Sequence, residues 1–206
     1  MNGYNKRSMR MLLPSVALLL LAACSTPEVS KAPVKAPEPV TGRKAFYQVY
    51  SAARMWAPDV QPLRAESMPV EGITPQDGRF GAWRFTFTSQ AKGKMKIFTY
   101  SVVDVGESLH QGVFSLGDAA WSGPSPTAMP FYVQAFRIDS DEALKLAKEK
   151  SADYLKKNPN RPVFFQLEFT RLHPEAAWRV LWGDSVAMSD HSIYVSASTG
   201  QYLGKG

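Results

Sequence analysis

The sequence contains a single cysteine, Cys24, among its 206 residues. A lone cysteine cannot form a disulfide within the chain. The apolar share of 45% and the charged share of 20% are those of an ordinary globular protein that builds a hydrophobic core. The length leaves room for one domain or for two small ones.

The chain has little excess charge once its first residues are set aside. Its formal net charge is +6, but Lys6, Arg7 and Arg10 lie in a segment that we expect to be removed, and the charge without them is about +3. No cluster of lysine and arginine and no motif of a nucleic-acid-binding fold accompanies this charge. We therefore expect no nucleic-acid partner.

The sequence also lacks recognised catalytic and metal-binding motifs, such as His-Glu-x-x-His, Gly-x-Ser-x-Gly, a phosphate-binding loop or paired cysteines. Its histidines, His110, His173 and His191, do not have the spacing of metal ligands. Ser189-Asp190-His191 contains the residue types of a catalytic triad, but neighbours in a strand face opposite ways. We predict no catalytic residue, metal or cofactor. An acid/base pair of His110 or His191 with a carboxylate is the open alternative.

No apolar run is long enough to span a membrane comfortably. Residues 11–23 are almost wholly apolar, but these roughly 13 residues compare with the roughly 20 that a membrane helix needs, and Pro14 interrupts them. Three cations precede the run, and small residues follow it. This layout is typical of a secretory signal peptide, which we place at residues 1–23. A retained transmembrane anchor is the less favoured alternative.

The motif Leu21-Ala22-Ala23-Cys24 resembles the lipobox of bacterial lipoproteins. The resemblance implies that the signal peptide is cut before Cys24, and that the sulfur and the new amino group carry fatty acyl chains, palmitate among them. Such an anchor would explain a lone cysteine in an exported chain, whereas the alternative is an ordinary signal peptide with a stray cysteine. Ser25 stands where inner-membrane lipoproteins carry aspartate, which implies the outer membrane, on the periplasmic side.

Residues 24–41 are predicted to be the lipidated cysteine and a tether. This segment has few apolar residues and four prolines, Pro27, Pro33, Pro37 and Pro39, which exclude a helix. In extended form, at roughly 3.1 Å per residue, it would hold a domain up to about 50 Å from the bilayer.

The rest of the chain contains an internal repeat. Ala82-Trp83-Arg84 is followed by Tyr100 and Gly106, and Ala177-Trp178-Arg179 is followed by Tyr194 and Gly200. We align tryptophan with tryptophan, tyrosine with tyrosine and glycine with glycine, with one residue less between the second tryptophan and its tyrosine. A repeat of this length predicts two related structural units.

Each unit is predicted to be a helix with an antiparallel sheet, so that the fold class is α+β. The first unit takes residues 42–116, a Gly/Pro-rich loop takes residues 117–130, and the second unit takes residues 131–206. Thr41 is a predicted N-cap of the first helix, and Asp139 and Glu142 have capping-box spacing at the second. Residues 131–138 are predicted to form a strand that leads into that second helix.

The second unit, with Ala177-Trp178-Arg179-Val180 and Tyr194-Val195-Ser196-Ala197-Ser198-Thr199-Gly200, resembles a PepSY domain. The resemblance covers about 70 residues in each copy. It departs from the family at Ser196, where aspartate is usual, and the first copy lacks Thr-Gly. PepSY domains occur in propeptides of secreted metallopeptidases and in envelope proteins. The resemblance therefore implies a non-catalytic module that binds or restrains a partner protein.

These features together predict a lipid-anchored cell-envelope lipoprotein that acts as a binding or inhibitory module for a periplasmic partner. The alternatives are a structural or assembly factor for envelope integrity and, less favoured, a periplasmic enzyme. Trp121, in the Gly/Pro-rich loop, is the predicted partner contact, because exposed aromatic residues on loops often bind partners. The tryptophans at positions 56, 83, 178 and 182 are predicted to be core residues.

Overall fold

The computed structural model of the protein describes residues 1, 3, 36–107 and 109–206. Cys24, nearly all of the predicted signal peptide and most of the predicted tether lie outside these residues. Within the described residues, no helix is both long and apolar enough to cross a membrane.

The first helix begins and ends where its sequence predicts. It spans Gly42–Trp56, and the Oγ1 atom of its N-cap, Thr41, accepts a hydrogen bond of 3.4 Å from the Lys44 N–H. Ala57 ends the helix, because the following proline disfavours helical conformation in the residue before it. The apolar stripe of the helix is buried.

The described elements follow one another twice in nearly the same order. In chain order they are β1 (Val40–Thr41), α1 (Gly42–Trp56), β2 (Gln61–Met68), β3 (Arg79–Phe80), β4 (Ala82–Ser89), β5 (Lys94–Ser101), β6 (Gly112–Ala120), a 3-10 turn (Val133–Ala135), α2 (Ser140–Lys150), α3 (Ala152–Lys157), β7 (Val163–Glu168), β8 (Ala177–Gly183), β9 (Ser189–Ser196) and β10 (Tyr202–Lys205). The predicted α+β class is confirmed.

The two units share one antiparallel sheet of eight strands, in the order β10-β9-β8-β7-β2-β4-β5-β6. Each unit contributes four adjacent strands. The halves meet where β2 pairs with β7, with Arg64 opposite Glu168, Ala65 opposite Leu167 and Glu66 opposite Gln166. The two repeats are therefore halves of a single sheet, and β1 pairs with β3 in a separate sheet of two strands.

The alignment of Trp83 with Trp178 is confirmed by equivalent hydrogen bonds. The Trp83 Nε1–H donates to the Val40 carbonyl at 2.9 Å, and the Trp178 Nε1–H donates to the Ile138 carbonyl at the same distance. Each carbonyl lies two residues before the first residue of a helix, Gly42 or Ser140. Each indole thus fixes the start of the helix in its own repeat.

The alignment of Tyr100 with Tyr194 is wrong. Tyr100 lies opposite Trp83 in the sheet, whereas Val195 lies opposite Trp178. Successive side chains of a strand point to opposite faces, so a shift of one residue moves Tyr194 to the other face of the sheet. The spacing from Trp83 to Tyr100 equals the spacing from Trp178 to Val195, so an alignment of Tyr100 with Val195 needs no deletion in the second copy.

Two further predictions differ from the structure. Strand β6 continues to Ala120, so residues 117–120 belong to the strand and the loop begins after them. The reason is that this end of β6 pairs with Lys94 and Lys96 of β5. Residues 131–138 contain a 3-10 turn where a strand was predicted. The N–H groups of Arg137 and Ile138 both donate to the Ala197 carbonyl, which a strand ladder does not allow.

The starts of α1 and α2 meet, and residues at the start of α2 cap α1. The Ser140 Oγ accepts a hydrogen bond from the Gly42 N–H at 2.9 Å, and the Asp139 Oδ1 accepts one from the Arg43 N–H at 2.8 Å. Asp139 also forms the predicted capping box with Glu142 at the start of α2. Free N–H groups at a helix start need acceptors and favour negative charge, so one aspartate serves both helices.

Gly42 lies against the two central tryptophans. A Cβ atom at this position would lie 2.8 Å from Cη2 of Trp178 and 3.1 Å from two ring atoms of Trp83. Both rings are fully buried. Only a residue without a side chain fits there without displacing a rigid indole.

We predict that Gly42→Ala lowers the free energy of unfolding by about 1–3 kcal/mol, because overpacking against buried rings outweighs the better helix propensity of alanine. Urea unfolding of the purified protein checks this value. Gly117→Ala is the matched control, since a Cβ atom there meets nothing within 4 Å, and its effect is expected to be below about 0.5 kcal/mol. A Gly42→Ala chain as stable as its parent would contradict the prediction.

Candidate functional site

The two faces of the sheet carry different residues at its centre. Helices α1 and α2 pack on the face that holds Trp83 and Trp178. Side chains alternate along each strand, so the neighbours of the core residues lie on the other face. We call seven residues at the centre of that other face the junction face: Arg64, Glu66, Arg84, Gln166, Glu168, Arg179 and Tyr194.

Charge pairs on the junction face cross the boundary between the two repeats. Nη2 of Arg64 lies 3.1 Å from Oε2 of Glu168, which belongs to the second repeat. The Gln166 Nε2–H donates to the Glu66 Oε1 at 3.3 Å, and Nη1 of Arg84 lies 3.9 Å from the second oxygen of Glu66. The contacts of Arg64 with Glu168 and of Gln166 with Glu66 form only when β2 and β7 are paired, whereas Arg84 and Glu66 belong to the same repeat.

Arg179 adds a further positive charge to the junction face. Its Nε–H donates to the Ser192 Oγ at 3.3 Å, and its guanidinium carbon lies 5.9 Å from the centre of the Tyr194 ring. In the described part of the chain, no carboxylate lies within 4.0 Å of this guanidinium. The strands of the junction face thus present three arginines and two glutamates.

A groove of about 610 Å³ runs beside these charges. Arg64, Gln166, Glu168 and Tyr194 line it together with Pro126, Thr127, Thr170, Arg171 and Leu172. The wall is fixed by backbone hydrogen bonds of 2.8 Å from the Arg171 N–H to the Pro126 carbonyl and from the Met129 N–H to the Phe169 carbonyl. The Gly/Pro-rich loop between the repeats therefore forms one side of the groove.

Burial changes the acid strength of two residues in the groove. The pKa of Glu168 is raised because burial disfavours its charged form, while Arg64 and Arg179 act in the opposite direction. The pKa of Tyr194 is raised for the same reason, with Arg179 again opposing the effect. The charged form of Glu168 therefore costs folding free energy. Residues whose pKa is shifted by their surroundings are common at functional sites.

Trp121, the predicted partner contact, lies away from the junction face. It follows the last residue of β6, and its N–H donates to the Gly93 carbonyl at 3.0 Å, so it extends the edge of the sheet. Its side chain is half-buried. The structure does not bring Trp121 to the groove, and its contact role stays a prediction.

The other tryptophans are buried to different degrees. Trp83, Trp178 and Trp182 are fully or almost fully buried, as predicted for core residues. Trp56 is half-buried at the end of α1, and its indole N–H donates to the Asp118 Oδ2 at 3.3 Å. It packs against the core from the side.

His191 lies in the core. Its Nε2 is 2.8 Å from the Ser151 Oγ, and the Tyr154 ring stacks on it with centroids 4.3 Å apart. Burial lowers the pKa of His191, so the neutral ring is favoured. The neighbouring Asp190 is exposed and bonds to Tyr154 and Arg161. The residues of Ser189-Asp190-His191 therefore do not converge on one point.

The remaining histidines lie in the segments between strands. Nδ1 of His110 is 3.7 Å from Oδ1 of Asp104 in an exposed pair. The His173 ring packs against the Tyr194 ring beside the groove, with centroids 4.6 Å apart, and burial lowers its pKa. Among the residues that the structure describes, no three His, Cys, Asp or Glu side chains are grouped as metal ligands. The expectation of a non-catalytic protein stays a prediction.

The sequence carries one signal for the junction face. Polar residues alternate with apolar ones at Arg64 and Glu66, and again at Gln166 and Glu168. This alternation marks a face that lies away from the core. It does not tell which strand pairs with which, and the site exists only through the β2–β7 pairing.

Comparison with known proteins gives little further information. No family model matches the sequence, so the PepSY resemblance is not confirmed. No curated protein matches it either. The chain is similar to the crystal structure of a candidate lipoprotein from Clostridium difficile 630, with a TM-score of 0.44 and 8% identity over 79% of this chain and 91% of that one. Similarity at this level does not establish a shared fold or a shared function.

We predict that Glu168→Gln raises the free energy of unfolding at pH 7, because the folded chain holds the Glu168 proton more tightly than the unfolded chain. This gain in the free energy of unfolding should shrink as the pH falls toward the ordinary carboxyl pKa of 4.5. It should vanish below that pH, where Glu168 is protonated in both the folded and the unfolded chain. Urea unfolding at several pH values measures it.

Glu149→Gln, at an exposed position on α2, is the control for the loss of one surface carboxylate. A Glu168→Gln chain that is less stable than its parent, by a margin that widens as the pH rises, would mean that pairing with Arg64 outweighs the cost of burial.

Proposed function

We propose that this protein is a lipid-anchored lipoprotein of the bacterial outer membrane that faces the periplasm and binds a partner protein through the junction face. The motif Leu21-Ala22-Ala23-Cys24 supports the anchor, and Ser25 supports the outer membrane. The role is one of binding or inhibition, in keeping with the PepSY resemblance, and requires no catalysis.

The observation that carries the binding role is the set of partly buried charges at the centre of the sheet. A sheet face that only needed solvation could carry small polar residues there at no cost. Instead, burial raises the pKa of Glu168, and Arg179 lies beside it, with its side chain bonded to Ser192 and packed against Tyr194. Charges arranged in this way provide specificity and faster association with a partner of complementary charge.

The shape of the groove favours a protein partner. It is open along the sheet, and it is lined by residues of β2, β7 and β9, by the segment after β7 and by the loop between the repeats. Small-molecule sites are usually enclosed and mostly apolar, with few polar groups. An extended, charged groove instead fits a segment of a protein that places an acidic side chain near Arg179.

The tether suits this role. Ala36–Pro39 are exposed or partly exposed and precede the folded part of the chain, and the predicted anchor at Cys24 lies 12 residues before Ala36. At roughly 3.1 Å per residue, residues 24–39 would reach about 50 Å from the bilayer. The junction face could therefore engage a partner within the periplasm while its own anchor stays in the membrane.

We predict that Arg179→Glu reduces the recovery of a crosslinked envelope partner by at least about tenfold, because it places a negative charge where an acidic partner group is bound. The measurement is a crosslinked pull-down of the full chain from membranes of its native host, quantified by mass spectrometry. Lys44→Glu is the control, since Lys44 is exposed on α1, on the other side of the sheet. Equal recovery with both variants would contradict the proposed surface.

Intact mass of the same preparation tests the anchor separately. A mature chain that begins at Cys24 and carries acyl chains is expected, and Cys24→Ala should lack both the added mass and the cleavage. An unmodified chain in the soluble fraction would overturn the anchor. If no partner is recovered by any variant, the structural role in envelope integrity replaces the binding role.

A further inference from the structure

Strand β6 forms one edge of the sheet and is unusually open for an edge strand. It has nine residues, most of them exposed, and three of them are large apolar residues: Val113 (40% exposed), Phe114 (37%) and Leu116 (46%). In the described part of the chain, no strand pairs with its outer side. Proteins usually shorten or charge such edges, because free backbone groups there recruit other strands.

The opposite edge of the same sheet is protected. Strand β10 has only four residues and carries Lys205, whereas β6 has nine residues and no lysine. Short length and lysine are devices that prevent strand addition. Irregular pairing does not distinguish the two edges, because the register shifts near Tyr202 and Gly204 in β10 and between Ser115 and Asp118 in β6. The difference between the two edges indicates that β6 is open for a reason of its own.

The apolar residues of β6 are placed in a way that suits pairing. Phe114 lies opposite Thr99, on the same side of the sheet as the junction face. Leu116 lies where β6 has one residue more than β5, in the stretch next to Ile97, which belongs to the same side as Thr99. The His110 ring lies against Phe114, with centroids 4.5 Å apart. Phe114 and Leu116 both stay exposed.

We propose that two copies of this chain pair through β6, antiparallel, with Ser115 on the two-fold axis. In this register, Phe114 of each copy lies opposite Leu116 of the other, so that each exposed apolar side chain covers its counterpart. Cross-strand pairs of an aromatic and an aliphatic residue are among those that stabilise antiparallel strands. The two eight-stranded sheets then continue into each other.

Charge permits this self-pairing. The ionised residue of β6 is Asp118, and Lys96 and Lys94 hold its carboxylate at 3.1 and 3.8 Å. Since its charge is already neutralised within each copy, two β6 strands approach without like-charge repulsion. The fold joins its own halves by the same kind of antiparallel pairing, between β2 and β7. The pairing leaves the junction face free, and it does not depend on the proposed function.

Cysteine crosslinking tests the register. Ser115→Cys in the full chain, purified from membranes in detergent, should form a disulfide-linked dimer on mild oxidation, because the two sulfur atoms meet at the axis. Ala120→Cys is the matched variant on the same strand. Because Ala120 lies five residues from the axis, the cysteines of the two copies would be about 33 Å apart. We expect at least fivefold more dimer from Ser115→Cys. The parent chain controls for Cys24.

Sedimentation measurements test the pairing without cysteine. Phe114→Lys should raise the dissociation constant of the dimer at least tenfold, while Met188→Lys, at an exposed residue in the turn before β9, should leave it unchanged. Urea unfolding verifies that both variants are folded. A parent chain that stays monomeric at all concentrations, or equal crosslinking from Ser115→Cys and Ala120→Cys, would overturn the proposal.

Discussion

The structure depends on the contact between Trp83 and Trp178, whose rings meet edge to face with centroids 6.0 Å apart at the middle of the sheet. Each indole also fixes the start of a helix through the carbonyl to which it donates. Gly42 leaves the space that the two rings require. Because the repeats meet in this way, β2 and β7 lie side by side, and the contacts between the repeats on the junction face follow from that pairing.

The sequence allowed the elements to be predicted better than their pairing. Local signals placed Thr41 and Asp139 at helix starts, since capping depends on neighbouring residues. The alignment of Tyr100 with Tyr194 failed, because identity of residue type says nothing about which face a strand residue occupies. The contact of Arg64 with Glu168 joins residues about a hundred positions apart, and no local pattern determines such a pairing.

The position of the junction face connects architecture with function. The first repeat alone would supply Arg64 and Glu66, and the second alone would supply Gln166, Glu168 and Arg179. The contacts between these two sets form only when both repeats are present. A duplicated unit thus gains a surface that neither copy has by itself. The burial that disfavours charged Glu168 is acceptable because the large aromatic core on the other face supplies stability. Trp121 and β6 lie at the edge of the sheet, away from this surface.

The proposed function requires that the junction face, and not the helical side, contacts a partner. The most direct measurement is site-specific photo-crosslinking in the native host, with a photoreactive phenylalanine analogue in place of Leu172 on the groove wall or Tyr47 on α1, both of which are exposed. We expect a protein adduct from position 172 and none from position 47. An adduct from position 47 alone would contradict it.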